Sequence, residues 1–486
     1  MVESKEEVKI DTNLYSRQIG TFGLETMGKL VKMNVLIVGQ RGLGVEIAKN
    51  LILAGPASVD LYDPTKVAIG DLSSNFYIKE EDVGKKTRAE ATVGQLSELN
   101  QYVKVNVATK LSIEDHKKYS LVCYTENFDD INNLIAVNEF CRKNGVGFIL
   151  SETLGAAGYA FLDFGDKHMV SDANGEQTKS FIISNISQDE QGLLTVHEDK
   201  RHSFEDGDYV KIVEVEGMTE LNNREPIKIT TVTPYSFKLH IDTREFGAYV
   251  RQGTVENIKV PKAVSFHSLG KSVEVPAAND EMGFLQSPDQ SKWGRADQSH
   301  LAVRAIHKFQ VHNGRYPENN EDEVQQVLKY AQEINKLSKE AEKHNVDEID
   351  EDFIKTAARF ATCSITAQSA FFGGAIAQEI VKFTGKYSPL KQWLHYDIFE
   401  TIPTGDVNRE PMNSRYDDQI KIYGRELQEK LGKVNTFLVG AGALGCEYIK
   451  AFALMGLGCA EGGNVSCTDN DNIEVSNLNR QFLFRQ

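Results

Sequence analysis

The spacing of apolar residues changes along the chain and predicts elements of three kinds. NVLIV at residues 34–38 is a continuous apolar run that leads into a glycine turn, which is typical of a strand in a doubly wound sheet. Between about residues 181 and 264, apolar and polar residues alternate in runs such as YVKIVEVEGM, with Gly, Asn or Pro at the turns. This alternation predicts the short strands of a small β-barrel.

From about residue 297 to residue 359 the apolar period is that of a helix. One predicted helix face is formed by Val324, Leu328, Ala331, Ile334, Leu337 and Ala341. We interpret this face as packing between helices rather than as a binding groove. The acidic run NNEDE at residues 319–323 predicts a solvated helix start.

One segment of the chain returns after about 400 residues. The first copy, residues 15–78, contains NVLIVGQRGLGVEIAKNLILAG followed by VDLYDPTKVAIGDLSSNF. The second copy, residues 416–484, contains NTFLVGAGALGCEYIKAFALMG followed by VSCTDNDNIEVSNLNRQF. Each copy is predicted to be a strand, a glycine turn, a helix and a second strand that ends in an acid, which is the opening β-α-β unit of a nucleotide-binding sheet.

The two copies keep the same register after the strand-end acid. In the first copy Ser74 follows Asp63 by eleven residues. In the second copy Arg480 follows Asp469 by the same interval. We therefore predict two homologous folds rather than two unrelated glycine turns.

The copies differ where a nucleotide would bind. In the second copy, GAGALG at residues 440–445 leaves the backbone bare where phosphates approach a helix N-terminus. In the first copy Arg41 stands at the position of Gly442, and its bulk would fill that approach. Ser74 lacks the guanidinium that Arg480 offers to a triphosphate. We therefore predict a structural first copy and a nucleotide-binding second copy.

Composition narrows the class of partner. The net charge of −16, from 70 acidic and 54 basic residues, disfavours nucleic acid and anionic lipid as main ligands. The charged start MVESKEEVKI is unlike a secretion signal, and no run approaches the roughly 20 apolar residues that span a bilayer. We expect an intracellular protein with no nucleic-acid and no membrane partner.

Six scattered cysteines without a CxxC pair argue against a disulfide framework and against a zinc site. They are Cys123, Cys141, Cys363, Cys446, Cys459 and Cys467. Most are predicted to be small core residues, and burial in a sheet is predicted for Cys123 and Cys467 because each lies in a strand-like run. No cysteine is assigned as a nucleophile.

Six motifs carry a resemblance to a known family. They are LYSRQ, GLGVEIAKN, AFFGGAIAQEIVK, NSRYDDQ, GAGALGCE and TDNDNIEVSNLNRQFLF, between residues 14 and 484. Together they resemble ubiquitin-activating enzymes of the ThiF and MoeB-like adenylation superfamily. The resemblance implies an α/β fold class: tandem doubly wound nucleotide-binding folds, the second one truncated, with an inserted small β-barrel and an inserted helical bundle.

The resemblance also implies a division into domains. An inactive adenylation domain is expected at residues 1–178, with a return segment at 361–404. A β-barrel insertion of the first catalytic cysteine half-domain type is expected at 179–265, and a helical bundle at 266–360. The start of the active adenylation domain is expected at 405–486.

By resemblance, the complete enzyme uses ATP and Mg²⁺ to adenylate the C-terminus of ubiquitin. It then passes ubiquitin to a cysteine thioester for delivery to ubiquitin-conjugating enzymes, in the cytoplasm and the nucleus. We expect this chain to be a fragment that is inactive alone, because the family's phosphate-binding lysine, magnesium-binding aspartate and thioester cysteine would all lie beyond it. No metal ligand is therefore assigned in the chain.

The expected nucleotide site has residues from both copies. Gly442 and Ala443 would let the nucleotide lie against the turn, and Asp469 would accept the ribose hydroxyls. The residues expected at the phosphates are Asn477, Arg480 and Gln481. Asp471 is expected to help hold the site or its metal. Arg17, in LYSRQ of the first copy, is expected to reach the triphosphate of the second, so that Arg17 and Arg480 stabilise charge during catalysis.

Two other functions fit parts of the pattern. A dehydrogenase with two dinucleotide folds is suggested by the glycine turns, but the arginine of SNLNRQ and the lack of a recognisable substrate domain between the folds weigh against it. A non-catalytic scaffold subunit of an activating enzyme for another ubiquitin-like protein is the alternative function, and the fused second fold disfavours it.

Overall fold

The computed structural model describes residues 10–279, 285 and 287–484. The chain divides into two compact units. The first unit contains residues 1–168, 265–384 and 389–486, and the second contains residues 169–264 and 385–388. The first unit therefore holds both copies of the repeat.

The helices and strands alternate at both ends of the chain. The helices are α1 (Ser16–Phe22), α2 (Leu24–Leu30), α3 (Gly42–Ala54), α4 (Arg88–Ser97), α5 (Ile131–Asn144), α6 (Leu269–Glu274), α7 (Arg295–Asn313), α8 (Glu321–Glu340), α9 (Glu351–Arg359), α10 (Thr366–Lys382), α11 (Asp417–Tyr423), α12 (Arg425–Gly432) and α13 (Ala443–Met455). The strands are β1 (Asn34–Val38), β2 (Ser58–Tyr62), β3 (Lys104–Val107), β4 (Leu121–Tyr124), β5 (Gly147–Leu154), β6 (Ala157–Asp163), β7 (His168–Val170), β8 (Ser180–Ile186), β9 (Leu193–Val196), β10 (Tyr209–Val213), β11 (Ile227–Thr233), β12 (Ser236–Leu239), β13 (Thr254–Ile258), β14 (Lys262–Val264), β15 (Trp393–Asp397), β16 (Asn435–Val439) and β17 (Asn464–Thr468).

A seven-stranded sheet in the order β15-β6-β5-β4-β1-β2-β3 forms the centre of the first unit. The strands from β5 to β3 in this order run parallel, whereas β6 and β15 are antiparallel to their neighbours. The central strand β1 is apolar throughout its buried part because both of its faces are covered. Helix α10 packs on α3, so the first fold is completed by segments that follow both insertions.

Helices α7, α8 and α9 pack on one another and extend the apolar core of the sheet. Asn320 caps α8 by accepting a hydrogen bond from the N–H of Asp322, so the predicted helix start at NNEDE is confirmed. The predicted face of α8 is wrong at its C-terminal end, because Leu337 is 60% exposed and Ala341 is exposed. The buried stripe continues through Asn335 and Ser338 instead.

Asn335 explains how a polar residue can occupy that stripe. Its side-chain amide donates to the carbonyl of Val346 and accepts from the N–H of the same residue, both at 2.9 Å. Buried polar groups are tolerated when they are hydrogen-bonded in this way. A pattern of apolar residues alone follows Leu337 and misses this arrangement.

The second unit contains a closed six-stranded barrel in the order β10-β11-β12-β9-β8-β13. Alternation places Val210 and Ile212 of β10 inside the barrel, where they join a core that includes Leu194 and Phe237. The predicted fold class is thus confirmed: a doubly wound α/β fold with an inserted barrel and inserted helices, followed by the opening of a second such fold.

The second copy is folded as α11, α12, β16, α13 and β17, with β16 and β17 paired in parallel. In β16, Phe437 and Val439 are 68% and 75% exposed. Cys467 of β17 is exposed, so its predicted burial is wrong, whereas Cys123 is buried as predicted. The physical reason is that β16 is the one neighbour of β17 among the residues that the structure describes.

None of the helices in the described ranges is long and apolar enough to cross a membrane.

Candidate nucleotide site

The strand-end acid of the first copy holds the glycine turn. Asp63, which follows β2, accepts a hydrogen bond at Oδ2 from the N–H of Gln40 and another at Oδ1 from the N–H of Thr65, both at 2.8 Å. Gln40 belongs to the turn between β1 and α3. The acid therefore joins the ends of two neighbouring parallel strands, where doubly wound folds bind their ligands.

The second copy repeats this arrangement with an open carboxylate. Asp469 accepts from the N–H of Ala441 at 2.6 Å and from the N–H of Asp471 at 2.8 Å. The N–H groups of Asp471 and Ala441 hold the pKa of Asp469 below its ordinary value. Asp469 is exposed, so its ionised carboxylate can accept further hydrogen bonds from a ligand hydroxyl.

The glycine turn of the second copy is open in front of α13. Gly440 has φ +104°, which only glycine adopts easily, and a Cβ at Gly445 would lie 2.1 Å from the Gly440 carbonyl oxygen. At Gly442, by contrast, the nearest atom to a Cβ would be Nε2 of Gln481 at 4.0 Å. Two glycines of the turn thus serve local packing, and Gly442 leaves space for a ligand.

The corresponding approach in the first copy is closed. A Cβ at Gly42, the first residue of α3, would lie 2.5 Å from Oγ of Ser369 and 2.6 Å from Cβ of Ser74. Arg41, at the position of Gly442, donates to the carbonyl of Thr362 at 3.3 Å. Side chains therefore occupy the region that a phosphate would enter.

Two guanidinium groups share three acids in the first copy; we call Arg41, Arg88, Asp63, Asp71 and Glu126 the first-copy ion cluster. Nε of Arg88 donates to Asp71 at 2.8 Å, and its Nη1 lies 3.2 Å from Glu126 and 3.5 Å from Asp63. Nε of Arg41 lies 3.7 Å from both Asp71 and Glu126. The acid that would bind a ribose is thus paired with a cation of the protein itself.

Burial has opposite consequences for the two kinds of charge in this cluster. It raises the pKa of Glu126 to about 8; the nearby Arg88 lowers that pKa in part, and Asp63 raises it. Burial alone would lower the pKa of Arg88, but Glu126 and Asp71 raise it above its ordinary value. Burial therefore favours the protonated form of Glu126 over its carboxylate.

The first copy still has a polar cavity of about 320 Å³ at the carboxyl ends of β1, β4 and β5. Its walls include Arg41, Thr125, Glu126, Glu152 and Tyr316. Glu152 accepts hydrogen bonds from the hydroxyl of Tyr316 at 2.7 and 2.8 Å. The cavity is thus lined by side chains that bind one another.

Arg88 and Glu126 were not predicted from the sequence. They lie after the repeated segment, so the alignment of the two copies gives them no counterpart within this chain. The basic run GKKTR before α4 is the one local signal of a cation near the strand-end acid.

The predicted phosphate contacts of the second copy are only partly assembled. Gln481 faces the open turn at Gly442, as given above. Arg480 instead donates from Nη1 to the carbonyl of Ser476 at 2.6 Å and to Oδ1 of Asn479 at 3.1 Å. Asn477 accepts from the N–H of Glu474 at 2.8 Å. Arg480 and Asn477 are therefore engaged within their own loop.

Two of the remaining predicted residues belong to the second copy, and Arg17 belongs to the first. Ala443 is the first residue of α13. Asp471 is exposed next to Asp469. Arg17 is exposed on α1, and no ion pair to it is recorded within residues 10–279, 285 and 287–484.

The counterpart of Arg17 crosses between the copies. Asp418, the second residue of α11, accepts from Nη2 of Arg41 at 3.3 Å and from the N–H of Ser364 at 3.0 Å. Helices α1 and α11 dock alike: Gln18 donates to the carbonyl of Ala54, and Gln419 donates to that of Met455. An acid from the second copy thus neutralises the arginine that closes the first.

No group of three or more His, Cys, Asp or Glu side chains that could hold a metal ion is present in the described part of the chain. The open turn, the exposed Asp469 and the amide of Gln481 instead fit the neutral and anionic parts of a nucleotide.

Three family models match parts of the chain. The model described as "Ubiquitin-activating enzyme E1 FCCH domain" matches residues 189–259, and "Ubiquitin-activating enzyme E1 four-helix bundle" matches residues 260–335. The model of the "ThiF family" matches residues 416–486. The matches fall on the barrel, on the segment that follows it and on the second copy.

Curated relatives match along the whole chain. "Ubiquitin-like modifier-activating enzyme 1" of Oryctolagus cuniculus is 42% identical over 493 residues, which cover 100% of this chain and 45% of that protein. The protein of the same name from Homo sapiens is 42% identical over 494 residues, with the same coverage. "Ubiquitin-activating enzyme E1 1" of Candida albicans is 41% identical over 493 residues, covering 100% of this chain and 47% of that protein.

The chain therefore spans about half the length of the curated relatives it matches. A solved structure, "Crystal structure of E. coli MccB + AMPCPP + SeMeT MccA", is 20% identical and covers 32% of this chain and 50% of that chain. Its TM-score is 0.29, so this likeness supports no conclusion about function.

Proposed function

The chain belongs to the ubiquitin-activating E1 family, whose N-terminal portion it matches, and we propose that its second copy binds ATP for the adenylation of ubiquitin. The observation that carries the proposal is the difference at one turn position. Gly442 leaves open space beside an exposed strand-end acid, whereas Arg41 and the first-copy ion cluster fill the same place in the first copy.

The reaction we propose joins two anions. The C-terminal carboxylate of ubiquitin attacks the α-phosphorus of ATP, forming an acyl-adenylate and releasing pyrophosphate. Negative charge accumulates on the phosphoryl oxygens, so the site must supply positive charge and hydrogen-bond donors there. Bound Mg²⁺ would neutralise part of that charge. In the complete enzyme the acyl group then passes to a cysteine thioester and on to conjugating enzymes.

The residues of this chain have separate tasks in that scheme. Asp469 accepts hydrogen bonds from the ribose hydroxyls while its own position is fixed by the N–H groups of Ala441 and Asp471. The turn at Gly442 and Ala443 lets the nucleotide approach the N-terminus of α13, whose N–H groups favour negative charge. The Gln481 amide lies at the same turn and donates to a phosphate oxygen.

Arg480 and Arg17 would complete the phosphate site. Arg480 exchanges its present bonds to the carbonyl of Ser476 and to Asn479 for a bond to a phosphate oxygen, which is stronger because both partners are charged. Arg17 reaches the same triphosphate from the first copy. The equivalent residue of the second copy, Asp418, reaches across in the same way to contact Arg41. Asp471 and Asn477 assist at the edge of the site.

The proposal is tested with a chain extended through a complete second fold. We expect it to bind ATP but not NAD in calorimetry, and to exchange pyrophosphate into ATP only when ubiquitin is present. Exchange that occurs with a different ubiquitin-like protein and not with ubiquitin would show that the other protein is the substrate. Binding of NAD without exchange would contradict the proposal.

That the 486-residue chain alone is inactive stays a prediction. The same exchange assay, run on this chain with a boiled control, tests it.

A further inference from the structure

Helices α3 and α13 meet through four charged side chains, which we call the ion quartet: Glu46, Lys49, Glu447 and Lys450. Within each helix the pair is three residues apart, with Lys49 2.9 Å from Glu46 and Lys450 2.7 Å from Glu447. Between the helices, Lys49 also pairs with Glu447 and Lys450 with Glu46. The quartet is therefore symmetric between the two copies.

Three members of the quartet are buried, the side chain of Glu447 is 37% exposed, and all four are paired. The side chains of Lys49 and Lys450 are 1% and 0% exposed. Burial opposes ionisation of Glu46, but Lys49 and Lys450 hold its pKa below the ordinary value. Removal of one member of such a network leaves a buried charge unpaired, so each member fixes the positions of the others.

An aromatic ring of the second copy lies against this quartet. Nζ of Lys49 is 4.6 Å from the centre of the Phe482 ring, and Nζ of Lys450 is 5.6 Å from it. A cation over a ring face is attracted to it, more strongly when water is excluded. Phe482 is 1% exposed in an apolar cluster with Leu53 and Cys446, and the nearer of its two cations comes from the first copy.

The symmetry ends at this ring. Phe76 occupies the place of Phe482 in the first copy and meets it edge to face, with the ring centres 6.2 Å apart. Within the described residues, both cation contacts fall on Phe482 and none is recorded on Phe76. The quartet therefore acts on the second copy rather than equally on both.

Phe482 is joined directly to the proposed phosphate site. It follows Gln481, whose amide lies at the open turn, and it comes two residues after Arg480. The N–H of Gln481 donates to the carbonyl of Asn477 at 2.8 Å, so residues 475–484 form one bonded loop, which we call the second-copy loop. A ring that is fixed in this loop restricts the position of the Gln481 amide beside it.

We propose that Lys49, a residue of the closed first copy, is a positioning residue for the phosphate-binding loop of the second copy. Through Glu447 and the face of Phe482, it fixes the second-copy loop, which places the Gln481 amide at the open turn and also carries Arg480. The proposal rests on the proposed function for the ligand, but the mechanical link from Lys49 to the second-copy loop does not.

The link is tested on the 486-residue chain by hydrogen–deuterium exchange, without ligand. We expect Lys49→Met to speed exchange in a peptide covering residues 475–484 by about 10-fold, while the sheet of the first copy keeps its protection. Lys49→Arg should restore much of the protection, because arginine also pairs with Glu447 and lies over the ring. Lys32→Met, which removes an exposed lysine of the first copy, is the matched control and should change nothing.

A second variant keeps the test valid if Lys49→Met disturbs the whole interface. Phe482→Leu leaves all four charges in place and substitutes an aliphatic side chain for the ring in its cluster with Leu53 and Cys446, so the second-copy loop should lose protection to a similar degree. A loop that stays protected in Phe482→Leu, or that loses no protection in Lys49→Met, would overturn the proposal.

The consequence for ATP is measured with the extended chain. Lys49→Met should raise KM for ATP in pyrophosphate exchange by about 5-fold or more, with a smaller change in kcat, because binding of the triphosphate is what the loop prepares. If the wild-type extended chain fails to bind ATP, the proposed function is wrong. The hydrogen–deuterium exchange result, which needs no ligand, would still be valid. Faster loop exchange with an unchanged KM for ATP would overturn the role of Lys49 as a positioning residue.

Discussion

The two copies share a backbone design and differ in what their strand-end acids face. Asp63 is buried against Arg88, whereas Asp469 is exposed and accepts hydrogen bonds from the N–H groups of Ala441 and Asp471. The same backbone design thus accommodates a buried and an exposed strand-end acid, and we propose that nucleotide binding depends on a few side chains around one turn.

In the closed first copy, charged side chains pair with other residues of the protein and stabilise the fold. We propose that the second copy uses its charged side chains to bind a ligand. Arg41 fills the space at the turn of the first copy and also pairs with Asp418, which comes from the second copy. The pairing means that the closed site also helps to hold the open one in place. Variants of the two copies at matching positions should therefore differ in which property they change, stability or binding.

The largest effect is expected from Arg88→Met. The substitution leaves Asp63, Asp71 and Glu126 with Arg41 as the remaining cation of the cluster, so the free energy of unfolding should fall by about 3–5 kcal/mol, as for other buried pairs that lose one partner. Urea unfolding followed by circular dichroism measures it. Arg480→Met is the matched control in the second copy, because that arginine bonds only within its own loop, and it should stay within about 0.5 kcal/mol of wild type. Equal losses would contradict the division into a sealed and an open copy.

The next effect concerns ATP and the two turn positions. In the extended chain, Gly442→Arg should lower ATP affinity by about 100-fold or more, which is roughly 2.7 kcal/mol, because the side chain enters the open space at the turn. Arg41→Gly should not create a second ATP site, because Ser369 and Ser74 still lie against Gly42 and Arg88 still pairs with Asp63. Calorimetric titration counts the sites. Unchanged affinity in Gly442→Arg, or two sites in Arg41→Gly, would show that these turns do not decide binding.

Local sequence patterns were enough to predict the two turns, but the reach of long side chains was not. The shared eleven-residue register and the Arg41 for Gly442 exchange are visible in the sequence, and the hydrogen bonds of Asp63 and Asp469 follow that register. Arg88 comes 25 residues after Asp63, and only the crossover of the chain brings it back to that acid. No periodicity records such a return.

The ion quartet is the opposite case, because the sequence contains a signal for it that the predictions above do not include. GVEIAKN and GCEYIKA carry Glu and Lys three residues apart at the same place in both copies. Charged residues on the buried face of a nucleotide-fold helix have to be paired, so this shared motif predicts a contact between the copies. The predictions that Leu337 and Cys467 are buried are wrong for another reason. Burial depends on which neighbours cover a face, and the local spacing of residues does not contain that information.

A smaller effect separates Arg17 from Asp418, which occupy the same position in the two copies. In the extended chain, Arg17→Ala should slow adenylation by about 10-fold or more, roughly 1.4 kcal/mol in the barrier, with an unchanged melting temperature. Arg17→Lys should recover part of the rate, since a single ammonium group cannot reproduce the planar fork of a guanidinium. Single-turnover formation of the adenylate measures the step.

Asp418→Ala is the matched variant and should do the reverse. It leaves Nη2 of Arg41 and the N–H of Ser364 without their acceptor, so stability should fall by about 1–2 kcal/mol while the adenylation rate stays close to wild type. An Arg17→Ala enzyme within about 2-fold of the wild-type rate would rule out a phosphate contact across the copies.

The smallest expected effect is a difference in pH dependence between the two sites. Burial raises the pKa of Glu126 to about 8, whereas backbone donors lower the pKa of Asp469. An unfolded glutamate ionises near pH 4.3, so between about pH 4.3 and pH 8 the folded chain keeps a proton that the unfolded chain has released. The free energy of unfolding therefore falls as pH rises through this window, and the loss is complete above the folded pKa.

Glu126→Gln tests this pH dependence, because glutamine has no proton to lose and keeps the shape of the neutral glutamate. Its stability relative to wild type should rise by on the order of 1 kcal/mol between pH 6 and pH 9, less than the full shift implies because Arg41 and Arg88 lie close by. Glu114→Gln, at an exposed site of the first unit, serves as the control for the same exchange outside the cluster. If Glu126→Gln is equally destabilised at both pH values, Glu126 is ionised in the folded protein and the cluster holds three carboxylates on two guanidinium groups.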